Sequence, residues 1–155
     1  MQQRIDVSKV SPAAYQAVAT LQSYVDKSGL DAKLRELIKI RISQINGWRL
    51  LSCDAHTRRA HARRNRRAQA SAQRLARSAG LQRARARCAG LGWVEAITLL
   101  TQGHVPDDVF EAARQEFSEK EIVDLTAAAI AIDSWNRIAI AFRVPPQVQG
   151  KKAAA

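Results

Sequence analysis

The sequence predicts an all-α fold, and three observations support this prediction. Apolar residues recur at helical spacing in both halves of the chain, helix start and stop signals bracket those segments, and no stretch alternates apolar and polar residues as a strand would. Hydrophobic residues make up 46% of the chain and aromatic residues 5%. For 155 residues we expect one domain over 1–150 and a frayed tail over 151–155.

Two helices are predicted in the N-terminal part. Ser11-Pro12 is a start signal, a capping residue followed by proline at the first helical position, and Gly29 ends this helix. Asp31 can cap a second helix, which Asn46-Gly47 terminates. The apolar stripe of the second helix consists of Leu34, Leu37, Ile38, Ile42 and Ile45.

The C-terminal part predicts three further helices. The first runs from Trp93 to Leu100, and the second opens at Pro106 and continues through Phe117. Ser118 and Glu121 form the capping box of a long third helix, which should end before the two prolines at 145 and 146. The predicted buried side of the long helix consists of Ile122, Leu125, Ala129, Ile132 and Ile140.

The positive charge of the chain is concentrated in its centre. The formal net charge is +11, from 25 Lys and Arg against 14 Asp and Glu. Residues 57–88 contain eleven arginines and no acid, so the 14 basic residues elsewhere balance the 14 acids. This segment is built mostly from Arg, Ala, Gln and Ser, so we expect weakly packed helix or disorder. Because the segment contains no aromatic residues for base stacking, we expect it to bind nucleic acid only nonspecifically, if it binds at all.

Composition excludes several classes of protein. No apolar run approaches the roughly 20 residues of a membrane span, so we expect no membrane partner. The first residues, MQQRIDVSKV, contain no apolar signal-peptide region. Two cysteines do not make a disulfide framework. Together these features predict a cytoplasmic protein.

Two blocks carry a family resemblance. They are LDAKLRELIKIRISQING at residues 30–47 and the segment GHVPDDVFEAARQEFSEKEIVDLTAAAIAIDSWNRIAIAFRVPP at 103–146. With SPAAYQAVATLQSYV, they resemble the alkylhydroperoxidase D-like (AhpD-like) branch of the carboxymuconolactone decarboxylase family. The most specific pieces are Ile-Arg-x-Ser-Gln-Ile-Asn-Gly and Trp-Asn-Arg at 135–137.

The resemblance implies an AhpD-like helical bundle and a homo-oligomer, a trimer or a hexamer. It also implies a thiol-dependent peroxidase that acts on a hydroperoxide, is recycled by a dithiol or thiol-protein reductant, and needs no metal or organic cofactor. Peroxidase members carry Cys-x-x-Cys directly after Asn-Gly, with a His four residues beyond the second Cys and a Glu twelve residues before the first. One thiolate attacks the peroxide, and the second thiol resolves the sulfenic acid to a disulfide.

This chain departs from that pattern at the reactive positions. Glu36 falls at the position of the proton-relay Glu, but Trp48 and Leu51 replace the two cysteines, and Ala55 replaces the His. The dithiol is therefore absent from the sequence as written.

The nearest substitutes, Cys53 and His56, are out of register. With Glu36 they are our candidate catalytic residues. Each residue also has a non-catalytic interpretation. Glu36 would then be an exposed carboxylate paired with Lys33 or Lys39, Cys53 a small buried residue, and His56 a surface imidazole. A zinc site that also used His61 and Cys88 is disfavoured by its irregular spacing.

Trp135, Asn136 and Arg137 belong to the most specific block. They could serve packing and a salt bridge, and the resemblance alternatively suggests a place near the active site or a subunit contact.

The abrupt change after Gly47 suggests a compensated frameshift. The family-like peptide Gly-Cys-Ala-Tyr-Cys can be coded GGC TGC GCT TAC TGT. One extra G after the fifth base gives GGC TGG CGC TTA CTG T, which reads Gly-Trp-Arg-Leu-Leu as at residues 47–51. The hypothesis is that residues 48 to about 90 derive from a shifted frame, through a mutation or a sequencing error, so that peroxidase activity is impaired.

Three alternative functions stay open. A carboxymuconolactone decarboxylase-like enzyme would need no Cys pair. The non-enzymatic alternatives are a catalytically inactive helical oligomer and a nonspecific nucleic-acid binder acting through the Arg-rich segment.

Overall fold

The structure, a computed structural model, describes residues 2–47 and 81–145. Across these two ranges the regular structure is helical and contains no strand, which confirms the all-α prediction. The helices are α1 (Val7–Val10), α2 (Pro12–Lys27), α3 (Ala32–Ile45), α4 (Leu81–Thr98), α5 (Asp107–Glu116) and α6 (Glu119–Phe142), with a short 3-10 helix at Leu100–Gln102.

The predicted helix signals act as expected. Pro12 is the first residue of α2, and the Asp31 carboxylate accepts a hydrogen bond from the backbone N–H of Leu34 at 2.8 Å. Ser118 and Glu121 form the reciprocal capping box of α6. Helix α6 stops before Pro145, where Arg143 adopts a left-handed conformation with φ 53°. These local signals therefore set the ends of three helices.

The predicted start of α4 was wrong. Within the described residues this helix extends back to Leu81, twelve residues before Trp93, because the intervening Arg, Ala and Gln residues are good helix formers. Gly90 of this helix is buried. A Cβ at Gly90 would lie 3.2 Å from Cζ of Phe117 and 3.4 Å from Cδ1 of Leu34. The rest of the Arg-rich segment, residues 57–80, lies outside the described residues.

Helix α6 lies at the centre of the packing and contacts α2, α3 and α4, while α4 also packs on α3 and α5. The buried hydrophobic cluster includes Val25, Leu30, Leu34, Ile38, Ile42, Val94, Leu125, Ala128, Ala129 and Ala131. The predicted stripe of α3 and the first half of the predicted stripe of α6 supply much of this cluster. Over the described ranges, no helix is long and apolar enough to cross a membrane.

A buried carboxylate joins α2 to α6. Asp124 is 1% exposed, and its two oxygens accept hydrogen bonds from the Tyr24 hydroxyl at 2.7 Å and from Lys120 Nζ at 2.6 Å. Burial raises the pKa of Asp124, but the hydrogen bonds from Lys120 and Tyr24 together outweigh burial and hold this pKa below the usual 3.8. The same contacts raise the pKa values of Tyr24 and Lys120. The charged form of Asp124 therefore stabilises the fold.

The pH dependence of folding should report this carboxylate. Because its pKa is depressed in the folded state, its contribution is present above 3.8 and is lost as the pH falls through the folded pKa. We expect Asp124→Asn to lower the free energy of unfolding at pH 7 by about 1–3 kcal/mol. The difference from the wild type should shrink below pH 3.8.

Denaturant titrations between pH 3 and pH 7 would measure this difference. Glu36→Gln is the matched control, because the Glu36 side chain is 66% exposed. It should change stability by less than about 0.5 kcal/mol. A constant Asp124→Asn difference across this pH range would contradict the assignment.

Candidate functional site

Glu36 lies on the exposed side of α3. Its side chain is 66% exposed, and its Oε1 pairs with Lys39 Nζ at 3.0 Å. Two residues along a helix correspond to a rotation of 200°, so Glu36 lies nearly opposite Ile38, which is fully buried. The structure thus places this candidate relay residue in a surface ion pair with Lys39, one of the alternatives expected from the sequence.

The other two candidate catalytic residues, Cys53 and His56, lie outside the described residues, as do the replaced positions Trp48, Leu51 and Ala55. Cys88 is described and is exposed on α4. In the described part of the chain, no group of three or more His, Cys, Asp or Glu side chains is arranged to hold a metal ion.

A partly buried polar cluster, which we call the α3–α6 cluster, lies where α3 ends. Its members are Ser43 and Asn46 of α3 and its cap, and Asp133, Asn136 and Arg137 of α6. The Asn46 side-chain amide donates a hydrogen bond to Asp133 Oδ1 at 2.6 Å, and the Ser43 hydroxyl donates to Asn136 Oδ1 at 3.4 Å. The cluster therefore connects the two sequence blocks that are most specific to the family.

The α6 members of this cluster differ in their exposure. Asp133 is 8% exposed and Asn136 is 4% exposed, whereas the side chain of Arg137 is 69% exposed. Arg137 Nη1 lies 3.6 Å from Asp133 Oδ1. The Asp133 carboxylate thus accepts a hydrogen bond from a neutral amide of the α3 cap, and a cation at the surface balances its negative charge.

Asn136 has an unused hydrogen-bond donor. Its Nδ2 is buried and has no acceptor within hydrogen-bonding distance among the residues the structure describes. An unsatisfied buried donor costs about 1–3 kcal/mol. Such a group can form a hydrogen bond with a substrate, with water or with another part of the chain.

The cluster also determines where the chain leaves α3. Asn46 is the C-cap of α3, and Gly47 next to it has φ +69°, a conformation that glycine adopts without strain. The hydrogen bond from Asn46 to Asp133 therefore anchors the residue that precedes this turn. The family resemblance places the reactive Cys-x-x-Cys directly after Gly47.

The sequence identified only part of this cluster. The family resemblance points to Asn136 and Arg137, but not to the contacts that Ser43 and Asn46 make with α6. The sequence does contain a signal for a polar contact of α6. Asp133 and Asn136 interrupt a long apolar stretch, and their spacing of three residues puts both on one side of the helix. Trp135 packs edge-on against Tyr15 with a centroid separation of 5.1 Å, so packing explains this residue.

Comparisons with known proteins identify the family of the chain. The family model described as the carboxymuconolactone decarboxylase family matches residues 12–96. The uncharacterized protein YdfG of Bacillus subtilis (strain 168) is 30% identical over 156 residues, which cover 91% of this chain and 95% of YdfG. A crystal structure from Agrobacterium tumefaciens is 35% identical with a TM-score of 0.68, and the match covers 96% of this chain and 100% of that one. That protein is described as being of unknown function and as a proposed antioxidant defence protein AhpD. On this evidence the chain belongs to the carboxymuconolactone decarboxylase family, in its AhpD-like branch.

Proposed function

We propose that this chain is a thiol-dependent hydroperoxidase of the AhpD type by descent, whose activity is impaired because the reactive dithiol is missing. The observation that carries the proposal is the α3–α6 cluster, which joins the two most specific family blocks at the turn where the dithiol would begin. The similarity to the Agrobacterium protein, described as a proposed antioxidant defence protein, points to the same chemistry.

The proposed ancestral reaction consumes one peroxide and one dithiol. A cysteine thiolate attacks the outer oxygen of the hydroperoxide, the O–O bond breaks, and the products are an alcohol and a cysteine sulfenic acid. The second thiol displaces water from the sulfenic acid to form a disulfide, which an external dithiol then reduces. A single cysteine such as Cys53 cannot complete this intramolecular cycle.

The partners and location belong to the same proposal. The substrate is a hydroperoxide, the reductant is a small dithiol or a thiol protein, and the chain forms a homo-oligomer. The cytoplasm fits this chemistry, because the thiols of intracellular proteins are kept reduced there.

Chain length supports the frameshift hypothesis. The match to the Agrobacterium structure covers 96% of this chain and all of that one, so the Arg-rich segment stands in place of family sequence with little change in length. A compensated frameshift preserves length in this way, whereas an insertion would add unmatched residues. Gly90 is buried next to Phe117 and Leu34, immediately before residue 91, where the hypothesis places the return to the family frame.

Restoring the reading frame should restore peroxidase activity. One protein would be translated from the gene as written, and a second from a gene with one base removed after codon 47 and one base added back before codon 91. We expect peroxide consumption with dithiothreitol as donor to be at least about 100-fold faster with the restored protein, because general acid–base assistance alone contributes about 10²–10⁴-fold.

Two controls make this comparison decisive. Serine at both restored cysteine positions should abolish the gain. In the chain as written, Cys53→Ser should remove the residual dithiol-dependent rate, because Cys53 is the candidate reactive thiol. Strong dithiol-dependent turnover by the chain as written would contradict the proposed impairment.

The DNA sequence provides an independent check of the frameshift hypothesis. Resequencing codons 45–95 should show a one-base insertion relative to genes of close relatives, followed by a compensating change. If close relatives carry the same Arg codons in the same frame with no insertion or deletion, the frameshift hypothesis is wrong.

A carboxymuconolactone decarboxylase-like activity is the second candidate. The matching family model and the missing Cys pair favour it, because lactone decarboxylation does not use a dithiol. Decarboxylation of a muconolactone by the chain as written, without any thiol donor, would support this alternative over an impaired peroxidase.

A further inference from the structure

The outward side of α6 carries a stripe without charged residues. It consists of the apolar Val123, Ala127 and Ile130 and of Ser134, whose hydroxyl is bonded to the Ile130 carbonyl, and we call it the α6 stripe. Steps of four, three and four residues place these side chains on one side of the helix. Val123 is 61% exposed and Ile130 is 48% exposed, while Ala127 and Ser134 are half-buried.

The α6 stripe lacks the charges expected of a surface helix. No charged residue lies between Asp124 and Asp133, and both of these carboxylates are buried, where they bind Tyr24 and Asn46. A solvated side of a helix usually carries polar or charged residues. The composition of the stripe is instead typical of a surface that another helix covers.

Opposite charges lie at the two ends of the stripe. Glu119 is exposed at its start, and Arg137, with its side chain 69% exposed, lies at its end. Eighteen residues are five full turns, so both point to the same side of α6 about 27 Å apart. At this distance the two side chains of one chain cannot reach each other.

We propose that the α6 stripe is a twofold contact between two copies of this chain, with the two α6 helices antiparallel. This arrangement places Val123 opposite Ile130 of the partner subunit, and small Ala127 near the axis lets the helices approach closely. The acidic end of each helix then faces the basic end of the other, so that Glu119 comes within reach of Arg137 of the partner subunit. The proposal adds a specific surface to the proposed homo-oligomer and does not depend on peroxidase activity.

Self-complementarity favours a second copy over other occupants. An isologous contact requires a surface that matches itself after a twofold rotation, which a stripe with opposite charges at its two ends satisfies. The Arg-rich segment 57–88 is a poor cover for it, because its only large aliphatic residues are Leu75 and Leu81 and it carries eleven arginines.

The first test is the number of subunits in solution. A twofold contact predicts an even number, two or six, for the full chain measured by light scattering and sedimentation velocity. Ile130→Lys should halve the mass, because it buries a charge in the contact. Val10→Lys is the matched control, because Val10 is also an exposed apolar residue at 73% but lies on α1, and it should leave the mass unchanged.

The second test is a charge exchange. Arg137→Glu should weaken association about 10-fold, because it places like charges opposite each other, and Glu119→Arg combined with Arg137→Glu should restore it. Restored association in the double variant can arise only from a contact between two chains, because residues 119 and 137 of one chain are too far apart to pair. The ion pair with Asp133 is lost in both variants and cannot explain a difference between them.

Circular dichroism would confirm that each variant is folded. A wild-type monomer or trimer, an unchanged mass for folded Ile130→Lys, or a double variant no better than Arg137→Glu would each overturn the proposed contact.

Discussion

The arrangement of this protein depends on the hydrogen bonds that polar side chains buried along α6 accept from neighbouring helices. Asp124, Asp133 and Asn136 interrupt an otherwise apolar helix, and each is at most 8% exposed. Each accepts a hydrogen bond from a different residue of a neighbouring helix or its cap, namely Tyr24, Asn46 and Ser43. A purely apolar contact tolerates sliding and rotation, whereas these directional bonds fix the register of α2 and α3 against α6.

The same constraint connects the fold to the proposed chemistry. Because Asn46 is both the C-cap of α3 and the donor to Asp133, the position of α6 determines where the chain turns at Gly47. Thiol chemistry requires an attacking sulfur held at a defined place, so an anchored turn is a suitable base for a reactive pair. In this chain the anchor is present, while Trp48 and Leu51 stand where the resemblance places the two cysteines.

The sequence predicted the helices well where local signals exist, because caps and glycines with positive φ such as Gly29 and Gly47 act through their immediate neighbours. It misplaced the start of α4, because an Arg- and Ala-rich stretch has high helix propensity but almost no apolar pattern to reveal its boundary. The α3–α6 cluster could be predicted only in part. Asn46 and Asp133 are 87 residues apart, and a single sequence carries no record of such pairings.

Direct contacts between helices hold the two described parts of the chain together. Helices α3, α4 and α6 contact one another directly. In the sequence, α3 precedes residues 48–80 and α4 follows them. The bidentate pair between Arg41 and Glu95, at 2.6 and 3.0 Å, reinforces the contact of α3 with α4. These contacts, the buried cluster and the hydrogen bonds to α6 join α2 and α3 to the helices that follow residue 80, so they connect the two described parts of the chain.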